Sequence, residues 1–401
     1  FSLGQTGNAA SGASLYLGSY ASGDNYMDMS AITPSTMQLN RLKWETTTEY
    51  NTGLDASFLK GKLRFTVDVY QKYIKDLLQK KVKMPTSIGY GNGYEVSYMN
   101  SGKMTNKGWE FRVDAVPFEN RDWRVGFYFN IAHNENKITE MPDNYTEENY
   151  TFNNGEYAYR REEGRPMGSF YGYRYKGVCQ NKDATYARDA DGNVMKDISG
   201  NAIVMRNGTA TIAPGDALYE DINHDGVINQ YDIVYLGNSN PRFTGGAGVN
   251  VSYKQFKLSA IFYGRYGQDV VNSTRLNNES MRGIDNQSTA VLRRWRNEGD
   301  QTDIPRALYG EGYNTLGSDR FVEDASYLRL KSLSFNYRLP KKIIQRWGFS
   351  NIDVYVTGYN LFTWTKYTGQ DPEVKTENTY ARDSATTPAS IQLVAGFNLS
   401  F

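Results

Sequence analysis

The chain has 401 residues, of which 39% are hydrophobic, and its mean hydropathy of −0.64 is polar. It carries 32 tyrosines and 38 glycines, a combination that favours strands with one apolar and one wet face over the interior of a soluble enzyme. Because 45 basic residues are matched by 44 acidic ones, the formal charge is +1, and we expect no nucleic-acid partner.

The supply of reactive side chains argues against catalysis. The single cysteine, Cys179, excludes an internal disulfide and any Cys-x-x-Cys site. The two histidines, His133 and His224, are too few for a histidine-based zinc site and make a Ser-His-Asp or Cys-His unit improbable. We therefore expect that the protein is not an enzyme.

Hydrophobic helices that could cross a membrane are not predicted, since no run of about 18 apolar residues occurs. Residues 1–30 also lack the basic region followed by an apolar region that marks a signal peptide. A membrane β-barrel, the fold predicted below, must be exported and needs such a signal. We therefore expect that residue 1 is not the start of the gene product.

The first amphipathic strands follow a segment without periodicity. Residues 1–37, rich in Gly, Ser, Ala, Tyr and Asn, predict a loop. A strand is predicted from 43 to 58, with a turn at Lys60-Gly61 and a return arm in which Phe65, Val67 and Val69 share one face. Polar and charged residues occupy the other face, which is the period-two pattern of a strand.

The same alternation recurs to the end of the chain. The other predicted strands cover 109–115, 125–131, 157–162, 169–178, 241–253, 256–270, 327–339, 351–362 and 391–401. In YLRLKSLSFNYRLP the apolar phase slips after Leu330, which predicts a β-bulge near Lys331–Ser332. The total is about eleven strands.

Long strands and unequal connections favour a membrane barrel over a soluble β-sandwich, the alternative that also alternates. Short turns are predicted at 60–61, 119–122, 163–168, 254–256 and 340–350; long segments are predicted at 80–103, 139–155, 181–240, 271–320 and 367–387. If Phe401 lies on the periplasmic side, all the long segments face outward. We predict an all-β fold, a transmembrane antiparallel β-barrel with long extracellular loops.

An odd number of strands is unusual for a bacterial single-chain barrel. The simplest explanation is that 38–401 is the C-terminal portion of a larger barrel, and that 1–37 is an extracellular loop region at a chain break. Outer-membrane lipid is then an expected partner.

Residues 221–232, DINHDGVINQYD, predict a calcium site. Oxygen-bearing side chains stand at loop positions 1, 3, 5, 9 and 12, with glycine at 6, as in EF-hand or dockerin loops. The predicted ligands are the side chains of Asp221, Asn223, Asp225 and Asp232, the carbonyl of Val227, and Asn229 directly or through water. Ile228 would anchor the loop inward. The alternative is a solvated acidic turn with Asx-turn hydrogen bonds.

Two further features of the long segments have alternative interpretations. TAVLRRWRNEGD, residues 289–300, predicts a helix that either packs on its own loop or meets a partner. Aromatic residues there could stack on a substrate or form the interface belt of a barrel. They are Tyr145, Tyr150, Phe152, Tyr309, Tyr313, Trp364, Tyr367 and Tyr380, with Tyr309, Tyr313, Trp364 and Tyr367 as the substrate-binding candidates.

Several runs of the chain resemble the C-terminal half of a SusC/RagA-type TonB-dependent outer-membrane transporter of Bacteroidetes. Among them are NSGKMTNKGWEFRVDAVPF, EEGRPMGSFYGYRYKGV, DINHDGVINQYDIVYLGNSNPRFTGG and DVYVTGYNLFTWTKYTGQDPEV, in the order of the family. The resemblance implies a 22-stranded barrel, of which this chain supplies about eleven strands.

The same resemblance implies an N-terminal plug and barrel portion, a SusD-like surface lipoprotein, and TonB, reached through the missing N-terminal part. It implies import of an oligosaccharide or peptide across the outer membrane. The alternative function is a structural scaffold that organises surface lipoproteins without transport of its own.

Overall fold

The structure is a computed structural model that describes residues 1–401 except 13–14, 85, 91–93, 142–150, 311, 375 and 378–379. The chain forms two compact units. The first contains Phe1–Ala115, Asn130–Glu147 and Arg161–Met167, and the second contains Val116–Phe129, Glu148–Arg160 and Gly168–Phe401.

The main element is an antiparallel sheet of ten strands whose neighbours follow chain order. Its strands are Ser2–Asn8, Glu45–Phe58, Leu63–Lys75, Lys103–Glu119, Trp123–Glu140, Phe243–Tyr253, Phe256–Tyr266, Tyr327–Arg338, Asn351–Thr365 and Gln392–Ser400. Most have 11 to 18 residues, longer than the usual strand of a globular sheet. The predicted all-β class is confirmed.

Apolar side chains line up across neighbouring strands on one face of the sheet. In the second unit Leu258 lies opposite Val251 and Phe335, and Phe335 lies opposite Val356. Leu258, Phe335 and Val356 are 44%, 46% and 48% exposed. In the first unit Val67 is likewise flanked by Leu54 and Phe111. Apolar rows of this kind, exposed or half-buried, are typical of the lipid-facing surface of a transmembrane barrel.

The predicted bulge is confirmed. Pairing of Tyr327–Arg338 shifts between Leu330 and Ser332 against Asn351–Thr365, and Ile261 and Phe262 on the other neighbour pair with Ser332 and Leu330. Lys331 is therefore the extra residue relative to Phe256–Tyr266. Relative to Asn351–Thr365, the extra residue lies on that partner strand, between Tyr359 and Phe362. The shift returns Leu333 to the apolar face that Leu330 occupies.

Two predicted barrel strands, 157–162 and 169–178, are not strands of the main sheet. Ser169–Gly172 pairs with Val234–Asn238, and Tyr175–Val178 pairs with Ala217–Tyr219. Phe170, Tyr171 and Tyr173 are at most 1% exposed. Burial on both faces is the environment of a compact core, not of a barrel wall with one face in lipid. With Ser2–Asn8 added, the main sheet has ten strands among the described residues, against about eleven predicted.

The turn predicted at 163–168 does not lie at the same end of the strands as the other short turns. Gly164 N–H donates to Ile138 O, and Ile138 N–H donates to Arg165 O, both at 2.9 Å. Ile138 is near the end of Trp123–Glu140 that is far from the short 120–122 turn. Residues 163–168 therefore belong with the long connections, because the strand direction fixes which end they meet.

Residues 1–37 are not a continuous loop. Ser2–Asn8 pairs antiparallel with Glu45–Asn51, and Ser19–Tyr26 forms a hairpin with Met29–Thr36. All seven residues of Ser2–Asn8 are exposed. Because no residue of this strand is buried, its sequence shows no alternation of apolar and polar residues. Backbone hydrogen bonds to Glu45–Asn51 hold it at the edge of the sheet.

Short and long connections alternate along the sheet. In the second unit, turns at 120–122, 254–255 and 339–350 contrast with connections over 267–326 and 366–391. The remaining strands are Leu78–Lys83, Glu95–Asn100, Arg206–Asn207, Ala210–Thr211, Val227–Ile228, Asp269–Asn272, Val322–Asp324, Thr376–Glu377 and Tyr380–Asp383. The helical turns are Leu59–Gly61, Thr86–Ile88, Asp183–Thr185, Gln230–Asp232, Ser273–Asn278, Thr289–Arg293, Asp319–Phe321, Lys341–Ile344 and Gln345–Trp347.

The long connections of the second unit have cores of their own. One cluster contains Tyr173, Met205, Tyr219, Ile228 and Leu316, each at most 7% exposed. Such burial gives these connections defined shapes, which positions the side chains considered below. Among the helices that the structure describes, none has the length and apolar character needed to cross a membrane.

Candidate functional site

The Asp221–Asp232 loop is closed by its own acidic side chains. Asp221 Oδ2 accepts from Gly226 N–H at 2.8 Å, and Asp225 Oδ1 accepts from Val227 N–H at 2.7 Å. Gly226 has φ +81°, a left-handed conformation that glycine adopts without strain. The predicted sharp bend at Gly226 is therefore present.

Asp232 ties the two ends of this loop together. Its side chain is fully buried, Oδ1 accepts from Ile222 N–H, and Oδ2 accepts from Asn229 N–H, both at 2.8 Å. Burial raises the pKa of Asp232 above its usual range, and the charges of Asp221 and Asp225 raise it further. The carboxylates of Asp221 and Asp225 are thus close enough to disfavour the charged form of Asp232.

The loop is anchored as predicted. Ile228 is fully buried in the hydrophobic cluster, and Val227–Ile228 pairs in parallel with Arg206–Asn207. A side chain at Gly226 would come within 3.0 Å of the Ala187 Cβ. The position of the loop is therefore fixed by core packing as well as by its hydrogen bonds.

The residue types of the loop suit calcium, but several of its oxygen atoms accept hydrogen bonds from within the loop. Carboxylate, amide and carbonyl oxygens are the ligands that calcium takes. Asn223 Nδ2 donates to Asp225 Oδ2 at 2.9 Å, however, and Asn229 Nδ2 donates to the Val227 carbonyl at 3.0 Å. Among the described residues, no three His, Cys, Asp or Glu side chains form a group that could hold a metal. An ion would have to replace some of these internal hydrogen bonds.

A second feature is a cavity of about 320 Å³ in the second unit. Its floor is an ion pair in which Arg306 Nε and Nη2 donate to Asp216 Oδ1 and Oδ2 at 2.7 and 3.1 Å. Asp216 is almost fully buried, and hydrogen bonding to it raises the pKa of Arg306 above its usual range. The two-pronged geometry fixes both side chains.

Asn314 completes the floor of the cavity. Its Nδ2 donates to Asp216 Oδ1 at 3.3 Å and to the Arg306 carbonyl at 3.2 Å, and its Oδ1 accepts from Ala217 N–H at 2.8 Å. Asp216 and Arg306 are 90 positions apart, so no local motif could reveal their contact. Sequence reasoning missed all three polar residues for this reason.

Only two of the four substrate-binding candidates lie together. Tyr309 and Tyr313 both line the cavity. Trp364 is exposed on the apolar face of its strand, opposite Leu328, where the interface-belt interpretation fits. Tyr367 is buried, and its hydroxyl donates to Asp383 at 2.7 Å, which leaves its ring little surface for stacking.

The other aromatic candidates have packing contacts or lie outside the description. The Phe152 ring centroid is 4.7 Å from that of Tyr313, and the Tyr380 centroid is 5.4 Å from that of Phe170. Tyr145 and Tyr150 lie outside the described residues. These contacts assign Phe152 and Tyr380 to the cores of the long connections.

The helix predicted over 289–300 is a five-residue 3₁₀ turn, Thr289–Arg293. Val291 is buried in a cluster with Met281 and Ile304. Arg294 has an extended ψ of 153°, which ends the helix. The turn therefore packs on its own connection through Val291, although Leu292 beside it is exposed.

Comparison with known proteins identifies the family. The profile of the TonB-dependent receptor-like β-barrel family matches residues 1–361. TonB-dependent receptor P3 of Formosa agariphila is 32% identical over 349 residues, covering 84% of this chain and 32% of that protein. TonB-dependent receptor SusC of Bacteroides thetaiotaomicron is 27% identical over 392 residues, covering 95% of this chain and 34% of that protein.

Solved structures agree with these relatives. The structure of the RagAB peptide importer in the closed-closed state matches with a TM-score of 0.72 and 26% identity, covering 100% of this chain and 40% of that chain. The chain spans about a third of the length of the curated relatives that it matches. On the profile match, the sequence relatives and the shared fold, this chain belongs to the TonB-dependent receptor-like β-barrel family and is of the SusC/RagA type.

Proposed function

We propose that the complete protein containing this chain imports a nutrient across the outer membrane in a TonB-dependent manner. The observation that carries the proposal is the ten-stranded sheet, with rows of exposed apolar side chains across neighbouring strands and long, internally packed connections. Such a sheet suits a barrel wall in lipid, and the family relationship links it to TonB-dependent receptors. This role involves no catalysis by the chain.

In this proposal the chain supplies the C-terminal half of the barrel. An N-terminal portion of the same transporter supplies the plug and the other strands, and TonB acts through that portion. The cargo is an oligosaccharide or a peptide. A peptide is supported by the likeness to RagAB, a peptide transporter whose fold this chain shares at 26% identity.

We propose a SusD-like surface lipoprotein as the partner of the long connections. Large, ordered connections suit a stable contact with a second protein better than short turns do. Their hydrophobic clusters hold them in defined shapes, so the contacting surface would be preformed.

The import proposal is tested by uptake in the native host. We expect that a strain lacking the complete gene loses growth on a peptide mixture or an oligosaccharide mixture as the only source of the nutrient. Reintroducing the gene should restore growth, but not in a strain that also lacks TonB. Unchanged uptake combined with loss of lipoprotein from the cell surface would contradict import and support the scaffold function.

We also propose that the Asp221–Asp232 loop binds one calcium ion with a structural role. Asp221, Asn223, Asp225, Asn229 and Asp232 would contribute side chains, and Val227 its carbonyl. The convergence of three carboxylates, those of Asp221, Asp225 and the buried Asp232, supports the proposal, because a cation would offset their negative charge. The ion would order the loop, and affinities of about 10⁻⁴–10⁻³ M suffice for an extracellular module.

A further inference from the structure

We infer that the helical segment 341–347, within the short connection 339–350, binds the acidic headgroups of phospholipids in the membrane leaflet beside the short turns. This inference goes beyond the import proposal, because it concerns the contact of the barrel with its bilayer and does not depend on the cargo. Its basis is a group of basic side chains beside exposed apolar ones, at the end of a lipid-facing sheet.

The segment is helical and has a defined end. Lys341–Ile344 forms an α-helical turn, and Gln345–Trp347 continues it as a 3₁₀ turn. Gly348, with φ +78°, ends the segment in the left-handed conformation that glycine adopts without strain. The Phe349 N–H then donates to the Ile344 carbonyl at 3.2 Å. The side chains of the segment therefore have fixed directions.

The segment lies at the end of the apolar face of the sheet. Val354 and Val356 of the strand Asn351–Thr365 are exposed on that face. Ile352 shares the face by the alternation of the strand, but it is only 8% exposed. The helical turn containing the fully buried Ile344 contacts this strand. The segment therefore covers the apolar face near Ile352, which places it on the side of the sheet that meets lipid.

Two large apolar side chains of the segment are left exposed. Ile343 and Trp347 lie about one helical turn apart and are 46% and 61% exposed. Tryptophan is enriched where a membrane meets water, because its ring is apolar and its N–H is polar. An exposed tryptophan beside a lipid-facing sheet therefore suits the headgroup region of the bilayer.

The basic side chains of the segment have no acidic partner among the described residues. Lys341, Lys342 and Arg346 are exposed, and none of them forms an ion pair there. No acidic residue occurs in 339–350. Three positive charges without carboxylates of their own are complementary to phosphate groups.

The neighbouring short turn extends the positive surface. Arg338 N–H donates to the Gln255 carbonyl at 2.9 Å, which brings the turn containing Lys254 next to the connection 339–350. The following turn, 119–124, has two acidic and two basic residues and thus no net charge. The positive charge at this end of the second unit is therefore concentrated around 341–347.

A phospholipid fits both parts of this surface. Its phosphate meets the basic side chains, and its acyl chains meet Ile343 and Trp347, as in helices that lie in a membrane interface. A free phosphate ion would use only the charges. An acidic protein would not require the segment to cover the lipid-facing side of the sheet. The shared position of the charges and the apolar residues therefore favours an acidic phospholipid.

The first test is native mass spectrometry of the complete purified receptor with equal amounts of phosphatidylglycerol and phosphatidylcholine. We expect the wild type to retain phosphatidylglycerol about tenfold better or more, since each basic side chain near an acidic lipid surface contributes a factor of about five. The triple variant Lys341→Gln/Lys342→Gln/Arg346→Gln should lose most of this preference. An excess of inorganic phosphate should not displace the lipid.

The matched control is Lys182→Gln/Lys196→Gln/Arg206→Gln, which removes the same charge from exposed residues of a long connection. It should keep the preference for phosphatidylglycerol. Equal retention of the two lipids by the wild type, or the same loss in both triple variants, would overturn the site. Displacement by inorganic phosphate would overturn the lipid as its ligand. Loss of import with the lipid preference intact would instead refute the import proposal alone.

A second measurement needs no change of the basic residues. In nanodiscs, phosphatidylglycerol with brominated acyl chains should quench the fluorescence of Trp347, taken as the difference between the wild type and Trp347→Phe. Brominated phosphatidylcholine should quench that difference several-fold less. Equal quenching by the two lipids would contradict headgroup recognition even if the triple variant did not fold.

Discussion

Asp225 lies in the middle of the calcium-type loop. Its carboxylate accepts hydrogen bonds from Val227 N–H and Asn223 Nδ2, and from no described residue outside the loop. Asp232, in contrast, is buried and needed for the local fold. Asp225 is therefore the better position at which to separate ion binding from folding. An exposed aspartate can be removed at a modest structural cost of about 1 kcal/mol.

We predict that a chelator increases protease cleavage within 221–232 several-fold in the wild-type receptor, because removing the ion restores carboxylate repulsion. In Asp225→Ala, cleavage should be fast with or without the chelator. Limited proteolysis followed by mass spectrometry measures both rates. Calcium binding would be refuted if the wild-type rate did not respond to the chelator.

Asp189 provides the control for that experiment. It makes the same kind of turn, with Oδ1 accepting from Asp191 N–H at 3.0 Å and Asn193 N–H at 2.8 Å. Asp189→Ala should loosen its own turn locally while leaving the chelator response of 221–232 intact. A chelator response that disappeared in this variant would indicate a general effect on the connections.

At the scale of elements, the 366–391 connection is held to the sheet by Arg329. This arginine is 3% exposed; its Nη2 bonds Asp371, its Nη1 bonds Glu373 at 2.9 Å, and its Nε donates to Thr363 at 2.9 Å. Asp371 in turn accepts from the N–H groups of Glu373 and Ala389, both at 2.9 Å. The buried guanidinium of Arg329, through Asp371 and Glu373, therefore supports the 366–391 connection near both of its ends.

We predict that Arg329→Ala frees this connection, because it leaves Asp371 and Glu373 without their buried partner. Removing one member of such a pair typically costs about 3 kcal/mol. Hydrogen exchange at the amides of Glu373 and Ala389 measures the local opening. Arg338→Ala is the control, since Arg338 is largely exposed and pairs with Asp353 elsewhere. Equal exchange in the two variants would contradict the role of Arg329.

The pH dependence of that opening follows from Asp371. Burial alone would raise its pKa, but hydrogen bonds from Ala389 N–H and Arg329 hold the pKa below its usual range. A lowered pKa in the folded state stabilises the connection above the unfolded pKa of about 3.9. Protection of the Glu373 and Ala389 amides should persist at pH 5 and be lost only as the pH falls below the unfolded pKa of about 3.9.

Which elements the sequence could predict depends on where their stability comes from. Strands such as Leu63–Lys75 carry the alternation because one face meets lipid and the other does not. Lys331 was found by the same logic, from a break in the alternation. The alternation does not identify Ser169–Gly172 correctly because all four of its residues are buried. It does not identify Ser2–Asn8 because the exposed residues of that strand carry no pattern. The Asp216–Arg306 contact needs the folded chain.

At the scale of the whole molecule, the orientation in the membrane can be tested with the native cysteine in place. Cys179 is fully buried, and burial raises the pKa of its thiol to about 11. Because the thiolate is the reactive form, Cys179 should not react with a maleimide near neutral pH. Single cysteines introduced elsewhere in this chain can then be detected without a contribution from Cys179.

We predict that Ile198→Cys, in a fully exposed turn of a long connection, is labelled by a membrane-impermeant maleimide on intact cells. Arg121→Cys, in the short 120–122 turn, should be labelled only after the outer membrane is permeabilised. The strand directions of the second unit require this difference, since short turns and long connections alternate along an antiparallel sheet. Labelling of Arg121→Cys on intact cells, without labelling of Ile198→Cys, would reverse the orientation. It would also place the calcium-type loop on the periplasmic side and contradict the outward orientation of the long connections.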